Sequence, residues 1–219
     1  MTEDDIRTAL IEASRACIAQ GLSNATAGNI SIRFGAGMMI TPSGIPPEEM
    51  RPEMMVPCTF DGTWQGHWKP SSEWALHAAL YAARPRAQAV VHAHPTHCVA
   101  LSCLRKPIPA FHYMIAGFGG EEIPCARYET FGSAALARSV AATLGHRYHA
   151  CLMANHGMIA LGPDLATALT RTGKLEALAQ QYLLASSVGT PVLLPSEEMA
   201  RVAEAYENYG YEAAPSATS

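Results

Sequence analysis

Hydrophobic positions recur with two different periods along this chain. Ile6, Leu10, Ala13 and Cys17 return every third or fourth residue, which predicts an amphipathic helix over 3–20, with Thr2 able to cap it and Gly21 able to end it. Short strands follow, the first of them alternating apolar and polar residues. Ile30-Ser31-Ile32 and Met38-Met39-Ile40 predict short strands, the second closed by the turn Thr41-Pro42-Ser43-Gly44, and 54–58 predicts a third before an Asp61-Gly62 hairpin turn. Pro70-Ser71-Ser72 opens a helix through about Ala83, with a serine as N-cap and Glu73 in the first turn, and Arg84-Pro85 stops it. A Val- and Ala-rich strand over 87–94 ends at Pro95. Further on, the pattern predicts a helix over 133–144, strands over 150–156 and 158–161 on either side of Gly157, a long helix from Gly162-Pro163-Asp164 to about Val188, and a last helix from Ser196 to about Asn208. The tail, 211–219, is expected to fray.

Strands and helices are mixed without regular strand–helix alternation. That argues against a doubly wound nucleotide fold and for an α/β domain with a mixed sheet covered by helices. No Gly-x-Gly-x-x-Gly or Walker loop is present, and Gly117 to Gly120 does not sit between a clear strand and a clear helix. With 219 residues and no linker-like stretch, one domain over 1–219 is expected. The composition, 49% hydrophobic and 16% charged with net charge -4, gives no basic footprint for nucleic acid. No apolar run reaches a membrane span, and the acidic N-terminus is unlike a signal peptide, so a cytoplasmic protein is expected. None of the six cysteines forms a Cys-x-x-Cys pair, and buried or half-buried free thiols are expected.

Histidine placement changes the picture. In Val90-Val91-His92-Ala93-His94-Pro95, residues two apart on a strand share a face, so both imidazoles can reach one metal ion; two half-buried histidines with ordinary hydrogen bonds fit the same pattern. Catalytic zinc takes three protein ligands and keeps one position open, and His156, ending an apolar strand before Gly157, is the third candidate. His97 follows Pro95, which leaves its direction open. His67, His77, His112, His146 and His149 are expected at the surface or behind the site. Ser71 and Ser72, beside Glu73 at a helix N-terminus, suit a phosphate as well as plain capping, and Gly28-Asn29 and Ser43-Gly44 are turns of similar character.

Several motifs in order resemble the L-fuculose-1-phosphate aldolase family, within the class II aldolase, epimerase and adducin-head superfamily. They are Thr26-Ala27-Gly28-Asn29-Ile30-Ser31, Ile40-Thr41-Pro42-Ser43-Gly44-Ile45-Pro46, Pro70-Ser71-Ser72-Glu73-Trp74, Ala89-Val90-Val91-His92-Ala93-His94, the Ile108 to Ile115 block, Ile123-Pro124-Cys125-Ala126 and His156-Gly157, spread over roughly residues 5 to 210. The resemblance implies a single domain with a mainly antiparallel central sheet and helices on both faces, assembled as a homotetramer with sites between subunits. It implies His92, His94 and His156 as Zn²⁺ ligands, with Mn²⁺ or Co²⁺ able to take the same places. Glu73 would be a fourth ligand in the empty enzyme and the acid/base once substrate binds. Thr26, Asn29, Ser43, Gly44, Ser71 and Ser72 would hold the substrate phosphate; Ser43 keeps the hydroxyl of the threonine often found there.

Tyr113, from a neighbouring subunit, would donate a proton near the aldehyde, and Phe131 and Tyr209 would line the aldehyde end. The implied reaction is cleavage of a ketose 1-phosphate to dihydroxyacetone phosphate and an aldehyde. Only Lys69, Lys106 and Lys174 are available for a Schiff base, in keeping with metal chemistry. Ribulose-5-phosphate 4-epimerases share the logic but usually carry Asp at the position of Glu73. A methylthioribulose-1-phosphate dehydratase would instead lose water, and an adducin-like scaffold would lack the zinc ligands.

Overall fold

Alternating side chains along Val90 and Val91 both meet apolar neighbours, so the sheet here is covered on its two faces. The computed structural model describes residues 1–207. Strands β1 (Asn29–Phe34) and β2 (Gly37–Ile40) form a hairpin, and β3 (Val56–Thr59) pairs with β2. On the other side of β1 lie β4 (Ala89–Ala93), β7 (Gly157–Gly162), β6 (Ala150–Met153) and β5 (Cys125–Ala126). The order of the seven strands is β3-β2-β1-β4-β7-β6-β5, and every pairing is antiparallel except β5 with β6. The mainly antiparallel, helix-covered sheet agrees with expectation.

Residues Ala89, Val91 and Ala93 join the core beneath α1 (Glu3–Ala19), α3 (Thr96–Ser102) and α5 (Leu165–Val188), where Leu10, Cys98 and Leu175 are buried. Val90 joins the opposite core with Leu76 and Leu80 of α2 (Trp74–Ala83) and Leu136 and Val140 of α4 (Ala134–Leu144). Each such aliphatic side chain, fully buried, contributes roughly 1.5–3 kcal/mol relative to exposure. The last helix, α6 (Ser196–Glu207), packs on a 3₁₀ segment, Tyr113–Phe118. Among the described residues no helix is long and apolar enough to cross a membrane.

Thr2 caps α1 as the sequence predicts, and Ser133 and Asp164, at the expected starts of α4 and α5, likewise accept from backbone N–H groups. Elsewhere the boundaries move. A 3₁₀ turn, Pro52–Met54, precedes β3, so that strand begins at Val56 and not at 54. The strand expected over 87–94 ends at Ala93, and the one expected over 150–156 ends at Met153, because Ala154 to His156 turn the chain into β7. Neither serine caps α2; Glu73 itself is the N-cap residue, and its side chain makes no cap bond. Helix α3 and strand β5 had no periodic signal, being too short to show one. Cys103 is exposed, contrary to the expectation for the thiols, although all six are free. The expected tail at 211–219 lies outside the described residues, and so does Tyr209.

Candidate active site

Register places the first ligands. Asn29 on β1 lies opposite His92 on β4, and His92 lies opposite Ile159 on β7, so the end of β4 sits mid-sheet between two strand neighbours. His92 shares the face of Val90, toward α2, and is fully buried. His94 falls just past the strand end, yet its Nε2 lies 2.8 Å from His92 Nε2. His156 comes from the β6–β7 turn. Asn155 before it adopts a left-handed conformation (φ 52°), which Asn tolerates better than most residues. The three imidazole rings form a triangle with centroids 4.7, 4.9 and 4.9 Å apart.

Two glycines permit this convergence. A Cβ at Gly157 would stand 2.6 Å from the Ala93 carbonyl oxygen, and one at Gly28 would stand 2.8 Å from that of His92. Either side chain would push the ligand strand out of place.

Glu73 completes the cluster from the start of α2. Its Oε2 lies 3.0 Å from His92 Nε2 and accepts from Asn29 Nδ2 at 3.0 Å, while Oε1 stands 3.6 Å from His156 Nε2. Burial would raise the Glu73 pKa, but the facing His92, the Asn29 hydrogen bond and His156 outweigh it, and the net shift is downward. His92 moves the other way: burial opposes its charge, yet Glu73 and the Met158 carbonyl bring the pKa up. His94 is pushed down to about 3 and His156 to about 4, in each case by burial first and then by repulsion from His92.

These groups fit a divalent metal ion. One ligand nitrogen from each of His92, His94 and His156 lies within 4.8 Å of the other two. Donation from His92 Nδ1 to the Met158 carbonyl (2.8 Å) leaves Nε2 for the cluster, the usual arrangement behind a metal-ligating histidine. Glu73 Oε1 is buried and accepts no hydrogen bond among the described residues, an orphaned anionic atom that a cation would satisfy.

Without metal, a proton on His92 Nε2 would face Glu73 at 3.0 Å, and metal must displace it. Because the His92 pKa is raised, that proton is held below the raised value and lost above it. Apparent Zn²⁺ affinity is therefore expected to climb as pH rises through 6.5 and to level off beyond the His92 pKa. Calorimetry in buffers of different ionisation enthalpy should read close to one proton released per metal well below the His92 pKa, falling to about half of one at the midpoint. Release of none there would mean that Nε2 is already free.

Beside the cluster lies a cavity of about 320 Å³, lined by Glu73, His94 and His156 and by every expected phosphate residue: Thr26, Asn29, Ser43, Gly44, Ser71 and Ser72. The Pro42–Pro70 bridge, with Ser43 N–H donating to Lys69 O, ties two of these loops together. Among the described residues no lysine or arginine lines the cavity, so an anion would meet hydroxyls, peptide N–H groups and any metal held by the histidines. Phe131 is 68% exposed at its rim. Tyr113 does not line this cavity; it is 51% exposed and stacks on His112. His97 also lies apart from the cluster, paired with Glu176 at 2.7 Å.

Sequence reasoning missed Tyr128, Glu129 and Asn155, which also line the cavity. Asn155 is held by Arg105 Nε at 2.6 Å, and that guanidinium lies 5.8 Å from the Tyr128 ring centroid. His77, expected at the surface or behind the site, is wholly buried between Asn29 and Ser31. Its spacing of four from Glu73 on an otherwise apolar helix was the available signal.

The family model for the class II aldolase and adducin N-terminal domain matches residues 8–183. The chain is 45% identical over 205 residues to a 5-methylthioribulose-1-phosphate/5-deoxyribulose-1-phosphate aldolase of Rhodospirillum rubrum, covering 94% of this chain and 92% of that one. It is 47% identical over 191 residues to an L-fuculose phosphate aldolase of Escherichia coli, covering 87% and 88%. A solved L-fuculose 1-phosphate aldolase superposes with a TM-score of 0.88 at 37% identity, over 93% of this chain and 96% of that one. Sheet order, metal-type histidine cluster and sequence agree: the chain belongs to the class II aldolase and adducin N-terminal domain family.

Proposed function

We propose that this protein is a zinc-dependent aldolase that reversibly cleaves a ketose 1-phosphate to dihydroxyacetone phosphate and an aldehyde. The observation that carries the reading is the meeting of three imidazoles and a buried carboxylate, with one carboxylate oxygen unpartnered, at the wall of a cavity whose other wall is hydroxyls and turns. The volume falls in the range of small-ligand sites. Retro-aldol cleavage leaves a carbanion beside a carbonyl, stable only as an enediolate. A divalent cation supplies the Lewis acid that takes up this developing charge, worth several kcal/mol.

The chain's residues do the rest. Ser43, Gly44, Ser71 and Ser72, with Thr26 and Asn29 beside them, hold the phosphate, and that remote binding orients the reacting carbons. His92, His94 and His156 hold the metal. Glu73 moves the proton at C3, the hydroxymethyl carbon of the three-carbon product, and Oε1, which has no donor among the described residues, is the free oxygen for that task. Phe131, at the cavity rim, serves the aldehyde end.

In this reading Tyr113 serves the site of a neighbouring subunit of a homotetramer, which accounts for its exposure in one chain. Tyr113→Phe is expected to slow cleavage by about tenfold or more while KM for the phosphorylated ketose changes little. An unchanged cleavage rate removes Tyr113 from the mechanism. The reading also places the protein in the cytoplasm, a reducing compartment that suits six free thiols.

The relatives' substrates share the phosphate and ketone end and differ beyond the cleaved bond, so one assay covers them. Purified protein is offered L-fuculose 1-phosphate, 5-deoxyribulose 1-phosphate and 5-methylthioribulose 1-phosphate, and dihydroxyacetone phosphate is measured with and without chelator. Chelator-sensitive release is expected from at least one. Release from none, or the appearance of an isomeric pentose phosphate or a dehydrated product instead, overturns the assignment.

A further inference from the structure

Asn29 and Ser31 stand two apart on β1 and so share a face, while Glu73, His77 and Tyr81 follow one another at steps of four along the start and length of α2. The two periods mesh into one buried polar row inside an otherwise apolar layer. Asn29 Nδ2 donates to Glu73 Oε2 at 3.0 Å, and Asn29 Oδ1 stands 2.6 Å from His77 Nε2. His77 Nδ1 is 2.7 Å from Ser31 Oγ, which in turn is 2.9 Å from the Tyr81 hydroxyl.

Hydrogen-bond polarity runs one way through this row. An ionised carboxylate only accepts, so Asn29 must offer its NH₂ to Glu73 and its oxygen to His77. A carbonyl oxygen also only accepts, so His77 Nε2 must carry the hydrogen. The His77 ring is wholly buried, which disfavours its charged form, so with the hydrogen on Nε2 its Nδ1 accepts from the Ser31 hydroxyl. Tyr81 closes the row by donating to Ser31, whose carbonyl oxygen lies 3.1 Å away. With the opposite tautomer at His77, the Asn29 amide would turn over and set its oxygen against that of Glu73.

We propose that His77 is a positioning residue: through its Nε2–H it locks the Asn29 carboxamide in the orientation that anchors Glu73 by Oε2 and leaves Oε1 directed at the three-histidine cluster. The inference rests on the reading of that cluster as a metal site. It predicts that a side chain with no contact to metal or substrate tunes metal binding through Glu73 alone. Losing such a partner behind a ligand typically costs 10–100-fold in metal affinity.

The test is optical titration of the full-length, metal-free protein with Co²⁺. His77→Leu is expected to bind Co²⁺ about 10–100-fold more weakly, with an altered visible spectrum. In a Glu73→Gln background the same change should leave affinity where it was. His77→Gln, whose amide N–H can reach Asn29 Oδ1, should restore affinity to within about threefold of the parent. Parent-like affinity in His77→Leu overturns the proposal, and so does an equal loss with and without Glu73, the signature of a purely structural role. Should His77→Leu fail to fold, Ser31→Ala removes only the hydroxyl that sets the tautomer; several-fold weaker binding is expected, and unchanged binding overturns the proposal. A parent protein that takes up Co²⁺ but cleaves no ketose 1-phosphate sinks the aldolase reading and leaves this one standing. A parent that takes up no Co²⁺ overturns both.

Discussion

Glu73→Gln is expected to keep its metal and lose most of its turnover. Three imidazoles remain, which suffices for a catalytic zinc site. The amide oxygen of Gln can accept from Asn29 as Oε2 does, so the local packing survives. What disappears is the proton carrier, and removing a positioned general acid/base typically lowers the rate about 10²–10⁴-fold. A second effect follows from the charges. Glu73 is the group that raises the His92 pKa against burial, so without it His92 is neutral and metal uptake no longer displaces a proton. Elemental analysis, steady-state rates and buffer-dependent calorimetry read these three expectations separately. Near-normal turnover with metal bound would remove Glu73 from its assigned role.

His92→Ala is expected to abolish metal binding and activity together and to destabilise the fold. The wild-type ring is fully buried, donates from Nδ1 to the Met158 carbonyl and faces Glu73 from Nε2. Its loss removes the bond to that carbonyl and leaves a buried carboxylate short of its charged partner; breaking such a pair costs about 3–5 kcal/mol. Metal-dependent stabilisation goes as well. Zn²⁺ at a thousand times its Kd adds about 4 kcal/mol to the wild-type protein and should add none to the variant. Thermal unfolding with and without Zn²⁺ checks this, with His97→Ala as the control, because His97 pairs with Glu176 away from the cluster. A zinc-dependent rise in Tm for His92→Ala equal to that of wild type would show that His92 is not a ligand.

How far the chain can be read before folding is clear from particular residues. Local chemistry was legible wherever it depends on neighbours in sequence. The period of α1, the cap at Thr2, the helix starts at Ser133 and Asp164, the long helix ending at Val188 and the His-x-His spacing are all set within a few residues, by helix geometry, side-chain-to-backbone bonds and the two-residue pleat. The turns carrying Gly28, Ser43 and Ser71 were legible as turns, and the resemblance grouped them around a phosphate. Boundaries were lost where an element was short or bent: α3 begins straight after Pro95, and β6 stops three residues before His156.

The rest had to wait for long-range pairing. The position of His94 beyond its strand, the approach of His156 from a turn more than sixty residues away, and the reach of Glu73 across from α2 follow from the registers of β1, β4 and β7 and from the packing of α2 over them. His77 shows the difference most plainly. On paper it is one polar residue in an apolar helix; only when that helix lies on β1 do its two nitrogens find Asn29 and Ser31. Sequence alone determined which elements form and which chemistry their residues can perform, because both are local properties of side chain and backbone. Tertiary structure decided which of those residues meet, because convergence depends on strand register and helix packing, set by burial over the whole sheet.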